Sequence, residues 1–344
     1  MTHDDQSERL RSERLRSDNL ANKQAQVEEA VSTYGRPTDL KIMDLRGAVV
    51  ASNYDYPIIR IDTNQDVYGI GEVRDAGHLE NALQFKSMLL GQNPCNLDMI
   101  FRAIKHFGGP GREGGGVSGL EIALWDLVGK VYGVPCYQFL GGKYREKVRI
   151  YADTPQPEDA TPEAFAERVM GRKAMGLTFI KFDIGPNILA GDPESMIGTP
   201  TKYELGMPRG MNRRWRAPGT GRGSKVTDRG IARMAEVVAA VREAAGWDVS
   251  LCIDHFGHGY MTAKEVIRLG RALAPYGLAW MEDPMPWWDI DGHRRVTEAI
   301  DVPTAAGEGL YVWDGFQRMI ETRAVAIIHP DLLTSGGMRE TKRI

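Results

Sequence analysis

Three acidic residues each close a short apolar run, and this pattern constrains the fold more than any other feature of the chain. Asp254 ends Val-Ser-Leu-Cys-Ile-Asp, Glu282 ends Gly-Leu-Ala-Trp-Met-Glu, and Glu308 ends Thr-Ala-Ala-Gly-Glu. The two intervals are similar and close to the length of one strand–loop–helix unit, roughly 30 residues. Each run is typical of a buried strand, and neighbouring parallel strands of a βα barrel end side by side. We therefore expect the three carboxylates to converge.

Converging carboxylates need a counter-charge. They repel one another and raise one another's pKa values unless a cation lies among them. Carboxylate oxygens are hard ligands that suit Mg²⁺. The alternative, surface carboxylates at helix starts stabilised by the helix dipole, does not explain the repeated position at strand ends. The pattern predicts a Mg²⁺ site formed by Asp254, Glu282 and Glu308.

Length and composition indicate the class of the protein. A chain of 344 residues exceeds one hydrophobic core, so two domains are expected, and 42% hydrophobic with 26% charged residues is ordinary for a globular protein. A net charge of −3 provides no general field for nucleic acid or anionic lipid, so neither is an expected partner and only local charge can matter. With no membrane-length apolar run and no apolar signal core, we expect a cytoplasmic protein. Cys95, Cys136 and Cys252 lack metal spacing and are expected to be free thiols.

The first part of the chain divides into two regions. Residues 1–36 are polar, with Ser-Glu-Arg-Leu-Arg twice in tandem, and are expected to be disordered or loosely helical, or else to form a partner-binding arm. Residues 37–146 are predicted to form an α+β domain, with strands at 42–50, 56–62 and 67–73 and helices at 78–90 and 97–106. The Gly-rich run 107–116 is expected to be a flap, and the next helix to start with a capping box of Ser118 and Glu121 and to end at Gly133.

Residues 147–344 alternate between strand and helix patterns. Strands are predicted at 148–151 and 179–184, before Asp254, Glu282 and Glu308, and at 325–328, with helices at 161–176, 228–245, 262–274, 291–300 and 313–322. Six such units predict an α/β barrel rather than an open sheet. A closed barrel normally has eight strands, and the sequence ends inside the sixth helix. An Arg-rich insertion at 185–225 is expected to be either a lid over an anion or a solvated loop.

Three motifs carry a resemblance to a known family. They are Gly-Leu-Glu-Ile-Ala-Leu-Trp-Asp-Leu-Val-Gly-Lys-Val-Tyr-Gly-Val-Pro at 119–135, Met-Glu-Asp-Pro at 281–284, and Gly-Glu at 307–308. From about residue 40 to its end, the chain resembles the enolase superfamily, in its mandelate racemase/muconate lactonizing enzyme branch. The resemblance implies a (β/α)7β barrel, here truncated after the sixth strand, under an N-terminal capping domain. It also implies that Asp254, Glu282 and Glu308 are the Mg²⁺ ligands and that the protein is a homo-oligomer.

The resemblance suggests catalytic residues at the end of the second strand. The family usually carries Lys-x-Lys there, whereas this chain has Lys181-Phe182-Asp183. Residues two apart on a strand share a face, so Lys181 and Asp183 are both expected to point into the site. Lys181 is expected to contact the substrate carboxylate, or else to form a salt bridge with Asp183. In the family, the second lysine of this motif serves as the base. In this chain, Asp183 stands at its position.

Further candidates follow the third and sixth strands. His255 and His258 come directly after Asp254, and an imidazole has the right pKa range for proton transfer. Each of them could instead be an ordinary hydrogen-bonded histidine. Asp331 in His-Pro-Asp resembles the aspartate that, in the family, orients a histidine at the end of the seventh strand, a strand this sequence does not contain.

The resemblance implies removal of the proton α to a carboxylate, with Mg²⁺ holding the resulting enediolate. The leading hypothesis is dehydration of a sugar acid, an aldonate or an aldarate, to a 2-keto-3-deoxy acid. It is motivated by the histidines after Asp254 and by the Arg-rich insertion. One alternative is a racemase, epimerase or cycloisomerase of the same superfamily, although Asp183 counts against a second base. Another is a non-catalytic, truncated barrel that serves as an assembly partner.

Overall fold

The structure is a computed structural model that describes residues 35–189, 192–197, 225–254 and 261–344, with a few isolated positions before residue 35. The predicted extension at 1–36 and most of the insertion at 185–225 lie outside the described residues. Of the insertion, the structure describes a 3₁₀ turn, Pro186–Leu189, and two short antiparallel strands, Met196–Ile197 and Lys225–Val226. None of the described helices has an apolar stretch long enough to cross a bilayer.

The N-terminal part, residues 35–142, is called the cap below. Its three predicted strands are confirmed, and they form an antiparallel sheet in the order β1-β2-β3. Alternation within β2 turns Pro57, Ile59 and Ile61 inward, as expected for a strand with one buried face. The strands are β1 (Ile42–Ala51), β2 (Asp55–Thr63) and β3 (Tyr68–Glu72), and the helices are α1 (Glu80–Leu83), α2 (Lys86–Leu89), α3 (Leu97–Ile104) and α4 (Gly115–Tyr132).

Helix α4 packs directly on the sheet because two glycines of β3 let the backbones approach. A Cβ atom on Gly71 would lie 2.1 Å from the main-chain oxygen of Gly119, and one on Gly69 would lie 2.0 Å from that of Ala123. Real side chains do not tolerate such distances, so both positions require glycine. The close contact seals an apolar core between helix and sheet that includes Leu120, Leu124, Leu127, Ile59 and Ile61.

The start of α4 differs from the prediction, whereas its end agrees. The helix begins at Gly115, so Ser118 and Glu121 lie inside its first two turns and the predicted capping box is wrong. Both side chains are buried and bond instead to residues 336–339, far along the chain. Within the run predicted to be a flap, Gly111–Gly114 form a 3₁₀ turn that leads into the helix, and movement of this run as a flap stays a prediction. Gly133 ends α4 in the left-handed conformation, φ 68°, as predicted.

The C-terminal part contains a five-stranded sheet in the order β10-β9-β8-β7-β4, and all its strand pairs are parallel. Its elements are α5 (Pro162–Ala174), β4 (Phe179–Asp183), the short pair β5 and β6 of the insertion, α6 (Asp228–Ala245), β7 (Ser250–Asp254), α7 (Ala263–Leu273), β8 (Trp280–Glu282), α8 (Ile290–Thr297), β9 (Thr304–Ala306), α9 (Val312–Glu321), β10 (Ile327–Ile328) and α10 (Met338–Arg343). The alternation of strand and helix is therefore confirmed. Closure of the sheet into a barrel, and a domain boundary at residue 146, stay predictions.

The helix starts of this part follow local chemistry. Thr161 accepts the N–H of Ala164 ahead of Pro162, and Thr262 forms a complete capping box with Glu265. The strand predicted at 148–151 is wrong, because the described residues there form a single parallel bridge, between Ala152 and Ile180. The buried faces of α5, α6 and α7 cover the sheet with one continuous apolar core that includes Phe165, Val169, Val237, Val241, Val266 and Leu269.

Candidate functional site

The three predicted ligands lie at the carboxyl ends of three neighbouring strands. Asp254 and Glu282 are the last residues of β7 and β8, and Glu308 comes two residues after β9 rather than at its last position. Asp254 and Glu282 are buried, whereas the side chain of Glu308 keeps 41% of its surface exposed. Parallel register brings adjacent strand ends together. The sequence pattern thus placed these carboxylates on the correct edge of the sheet.

Lys181 supplies the positive charge for two of these carboxylates. Its Nζ donates to Oδ2 of Asp254 at 2.9 Å and lies 3.3 Å from Oε1 of Glu282. Burial alone would lower the pKa of Lys181, but the charges of Asp254 and Glu282 outweigh burial and raise it. The amine therefore stays an ammonium. Asp183 shares the face of Lys181 and pairs in register with Asp254, so the structure brings both predicted residues to the site.

Glu282 has two further neighbours. Its Oε2 accepts a hydrogen bond from Nε1 of Trp280 at 3.2 Å, and Nδ1 of His329 lies 3.7 Å from Oε1. Burial raises the pKa of Glu282 to about 7, repulsion from Asp254 adds to the rise, and Lys181 opposes it. His329 was missed as a candidate, although it stands in the same His-Pro-Asp run as Asp331. Burial lowers the pKa of His329 and favours its neutral form.

Asp283 is a second residue that sequence reasoning passed over. It is 9% exposed, and its φ of 42° places a non-glycine residue in the left-handed region. Its Oδ1 is buried and has no hydrogen-bond partner within the described residues. Burial and repulsion from Asp254 and Glu308 raise its pKa well above the usual value. Backbone strain of this kind concentrates at functional sites, and the adjacent Glu282 was its one sequence signal.

Glu308 is held from the other side by Arg74, which follows β3 of the cap. The Arg74 guanidinium bonds to the Glu308 carboxylate through Nη2, and its Nη1 donates to the Glu308 main-chain oxygen at 3.1 Å. Nη1 also lies 3.2 Å from Oδ2 of Asp331. Burial raises the pKa of Glu308, but the charges of Arg74, Arg112 and Lys181 together lower it by more, so the net shift is downward. No motif singled out Arg74, whose position two residues after a strand end is its only local signal.

The predicted catalytic residues therefore fall into three groups. Lys181 and Asp183 lie beside Asp254, as expected. Asp331 lies with Glu308 around Arg74, and burial raises the pKa of its carboxyl although Arg74 opposes the rise. His255 and His258 lie outside the described residues.

The donor set fits a divalent cation in chemistry. Within the described residues, no three His, Cys, Asp or Glu side chains are close enough to share one metal ion. Asp254 and Glu282 form ion pairs with Lys181 instead, and Glu308 forms one with Arg74. The Lys181 ammonium, placed between two carboxylate oxygens, is a stand-in for such an ion. Burial destabilises Glu282 and Asp283 as carboxylates, repulsion from the neighbouring acids adds to this effect, and a cation would relieve the repulsion.

Comparison with known families matches most of the described chain. Residues 164–344 match the family described as enolase C-terminal domain-like. Residues 44–141 match the mandelate racemase/muconate lactonizing enzyme N-terminal domain. The two matches cover the C-terminal part that carries the acidic strand ends and the cap that carries Arg74.

Individual relatives have sugar acids in their names. D-xylonate dehydratase of Haloferax volcanii is 33% identical over 327 residues, covering 93% of this chain and 72% of its own. D-mannonate dehydratase of Caulobacter vibrioides is 29% identical and covers 89% and 74%. D-galactarolactone cycloisomerase of Agrobacterium fabrum is 29% identical and covers 83% and 66%.

Solved structures agree on the fold. A mandelate racemase/muconate lactonizing enzyme-like protein from Rubrobacter xylanophilus superposes with a TM-score of 0.72 at 28% identity, covering 88% of this chain and 75% of its own. A member of the enolase superfamily from Salmonella Typhimurium gives a TM-score of 0.72 at 27% identity and covers 89% and 77%. The N-terminal cap and the C-terminal α/β part of this chain thus have counterparts in both.

Proposed function

The chain belongs to the mandelate racemase/muconate lactonizing enzyme family of the enolase superfamily, and on that premise we propose that it is a Mg²⁺-dependent dehydratase of a sugar acid, an aldonate or an aldarate. It is an enzyme of the hydro-lyase type, since its relatives are named as dehydratases of D-xylonate and D-mannonate. Cytoplasmic location and a homo-oligomeric state stay predictions.

One observation carries the proposal: a buried ammonium, Lys181, between two carboxylates at adjacent strand ends. In our proposal Asp254, Glu282 and Glu308 hold Mg²⁺, and Lys181 is released to bind the carboxylate of the substrate. In this role Lys181 supplies positive charge to the substrate carboxylate and does not act as the base. When bound, the ion would supply positive charge that stabilises the enediolate left by loss of the α proton.

The proton acceptor must then be another group near Lys181. Asp183 stands on the same face of β4, two residues nearer the strand end. His329 lies beside Glu282, and His255 and His258 follow Asp254 in the sequence. We propose that one of these groups removes the α proton and that another protonates the β hydroxyl, which leaves as water. The resulting enol becomes a 2-keto-3-deoxy acid after it takes up a proton.

The test is incubation with Mg²⁺ and a panel of sugar acids in D₂O, followed by ¹H NMR and by a chemical assay for 2-keto acids. The panel starts with D-xylonate, D-mannonate and D-galactonate, the substrates named for relatives. Lys181→Met and Glu282→Gln serve as the inactive controls. Keto-acid formation that both variants lose supports the proposal. Exchange of the α proton without keto acid from any panel member refutes the dehydratase and favours a racemase or epimerase.

A cycloisomerase is the second candidate, because a relative at 29% identity is named D-galactarolactone cycloisomerase. It shares proton removal α to a carboxylate but closes or opens a ring in place of losing water. D-galactarolactone is therefore included in the panel. Its conversion, with no keto acid formed from any aldonate, would favour this candidate over the dehydratase.

A further inference from the structure

Arg74 is a deeply buried charged side chain in contact with Glu308. Its side chain is 2% exposed, and it reaches from the cap to the ends of the parallel strands. The guanidinium faces carboxylates on three sides: Asp75 at 3.4 Å from Nε, Glu308 on Nη2, and Asp331 at 3.2 Å from Nη1. A guanidinium presents its donors in a rigid fork. Arg74 therefore fixes the Glu308 carboxylate in direction as well as in charge.

The two oxygens of the Glu308 carboxylate are used differently. Oε1 accepts the Nη2 hydrogen bond of Arg74, a charge-assisted contact of the strong class. Oε2 has no hydrogen-bond partner among the residues that the structure describes. The Arg74 bond to the Glu308 main-chain oxygen holds the backbone at the same time. Because the guanidinium lies against Oε1, Oε2 is the more accessible oxygen for a metal ion, and coordination through both oxygens would place the ion against the positive charge of Arg74.

Neighbouring contacts keep the guanidinium in this orientation. On the side of the sheet, Thr334 Oγ1 accepts a hydrogen bond from Nη1. On the side of the cap, Asp75 is bonded by Arg112, which donates to its main-chain oxygen at 2.9 Å and to Oδ2 at 3.1 Å. A Cβ atom on Gly115 would lie 2.7 Å from the Arg74 nitrogen, so the backbone of α4 packs directly against this position. Contacts from the cap and from the C-terminal part therefore hold the guanidinium in place.

We propose that Arg74 is a positioning residue that restricts Glu308 to a single coordinating oxygen and thereby selects Mg²⁺ over Ca²⁺. The inference rests on the proposed function, because it takes Glu308 as a metal ligand. Mg²⁺ requires a compact octahedral shell, which one oxygen per carboxylate suits. Ca²⁺ takes six to eight oxygens and readily accepts both oxygens of one carboxylate. Release of Oε1 from Arg74 therefore favours the larger ion.

The experiment measures the dissociation constants of Mg²⁺ and Ca²⁺ separately by calorimetry on the full chain and its variants. Arg74→Met removes the bond to Oε1, and Arg74→Lys keeps the charge but replaces the fork by a single ammonium that several acceptors share. Arg112→Met is the matched control, because Arg112 belongs to the same network and bonds Asp75 rather than Glu308. Circular dichroism establishes that each variant is folded before titration.

In Arg74→Met, we expect the affinity for Ca²⁺ relative to Mg²⁺ to rise by about tenfold or more, from one added coordinating oxygen. Arg74→Lys should give a rise of about threefold, and Arg112→Met no change beyond about twofold. If Arg74→Met does not fold, the test rests on Arg74→Lys. An affinity of Arg74→Lys for Ca²⁺ relative to Mg²⁺ equal to that of the wild type would then overturn the inference. A loss of affinity for both ions in equal proportion would show a merely structural role for Arg74 and would also overturn it.

The same titration separates this inference from the proposed function. Wild-type protein that binds neither ion refutes the metal site, and the proposed function falls with it. Wild-type protein that binds Mg²⁺, with the same Ca²⁺ to Mg²⁺ ratio in Arg74→Met, refutes the role of Arg74 and leaves the proposed function standing.

Discussion

Replacement of Lys181 by methionine removes the ammonium that Asp254 and Glu282 share. The three side chains are 13%, 6% and 2% exposed, so water screens the interaction very little. Methionine fills a similar volume without charge. In the metal-free protein, the two carboxylates would then face each other without the cation that now lies between them.

The size of the effect follows from the burial of the cluster. Removal of one partner from a buried ion pair costs about 3–5 kcal/mol, because the remaining charge is left uncompensated. For a chain of 344 residues, the entropy of unfolding is about 0.7 kcal/mol per kelvin at the midpoint. We therefore expect the unfolding midpoint of Lys181→Met to fall by about 4–7 °C in the absence of divalent cations.

The assay is thermal unfolding by calorimetry in EDTA and again in about 10 mM MgCl₂, because an ion that binds the folded protein raises its stability. Mg²⁺ should restore most of the lost stability of Lys181→Met, because the ion neutralises the same two carboxylates. Lys173→Met is the control, since Lys173 pairs with the exposed Asp248 and should shift the midpoint by about 1 °C or less. A Lys181→Met variant as stable as wild type in EDTA would refute the pairing. An equal deficit in EDTA and in MgCl₂ would refute the shared position of ion and ammonium.

Three further predictions concern stability. Burial raises the pKa of Glu121 from 4.5 to about 7, so this residue should lower the stability of the wild type by about 3 kcal/mol as pH rises between these values. Burial also raises the pKa of Glu282 to about 7, so urea titrations of Glu121→Gln should lose the Glu121 part of the slope and keep the part that Glu282 contributes. Gly71→Ala would place a Cβ atom 2.1 Å from the Gly119 oxygen and should cost at least about 1–3 kcal/mol, and a urea midpoint equal to that of wild type would contradict this contact. Thr262→Ala breaks the capping box with Glu265 and should cost about 1 kcal/mol, whereas Thr262→Ser should cost much less.

Local signals in the sequence predicted the features that local chemistry determines. Thr161 and Thr262 start helices where expected, because a side-chain oxygen at the N-cap satisfies a free N–H within the same turn. Gly133 ends α4 because a left-handed residue there lets its N–H close on the preceding turn. The acidic strand ends belong to the same class, since apolar runs and their spacing are visible without knowledge of the partner strands.

The sequence-based predictions failed for features that contacts between distant segments of the chain determine. Ser118 and Glu121 have the spacing of a capping box, but residues 336–339 take both side chains, and that contact spans more than two hundred positions. The strand predicted at 148–151 depends on pairing partners that the local pattern does not specify. Arg74 and His329 could be identified only when the fold brought them beside Glu308 and Glu282, because a position after a strand end or before Pro-Asp does not by itself indicate a role.

The acidic site draws its two cations from different parts of the fold. Lys181 comes from β4 within the parallel sheet, and Arg74 comes from the cap. Separation of the cap from the sheet would break the contacts of Arg74 with Glu308 and Asp331, and these groups would then be hydrated instead of paired. Electrostatics therefore join the cap to the strand ends that carry the site, in addition to the apolar packing within each part. The same guanidinium that secures the cap orients the one proposed metal ligand that remains partly exposed to solvent.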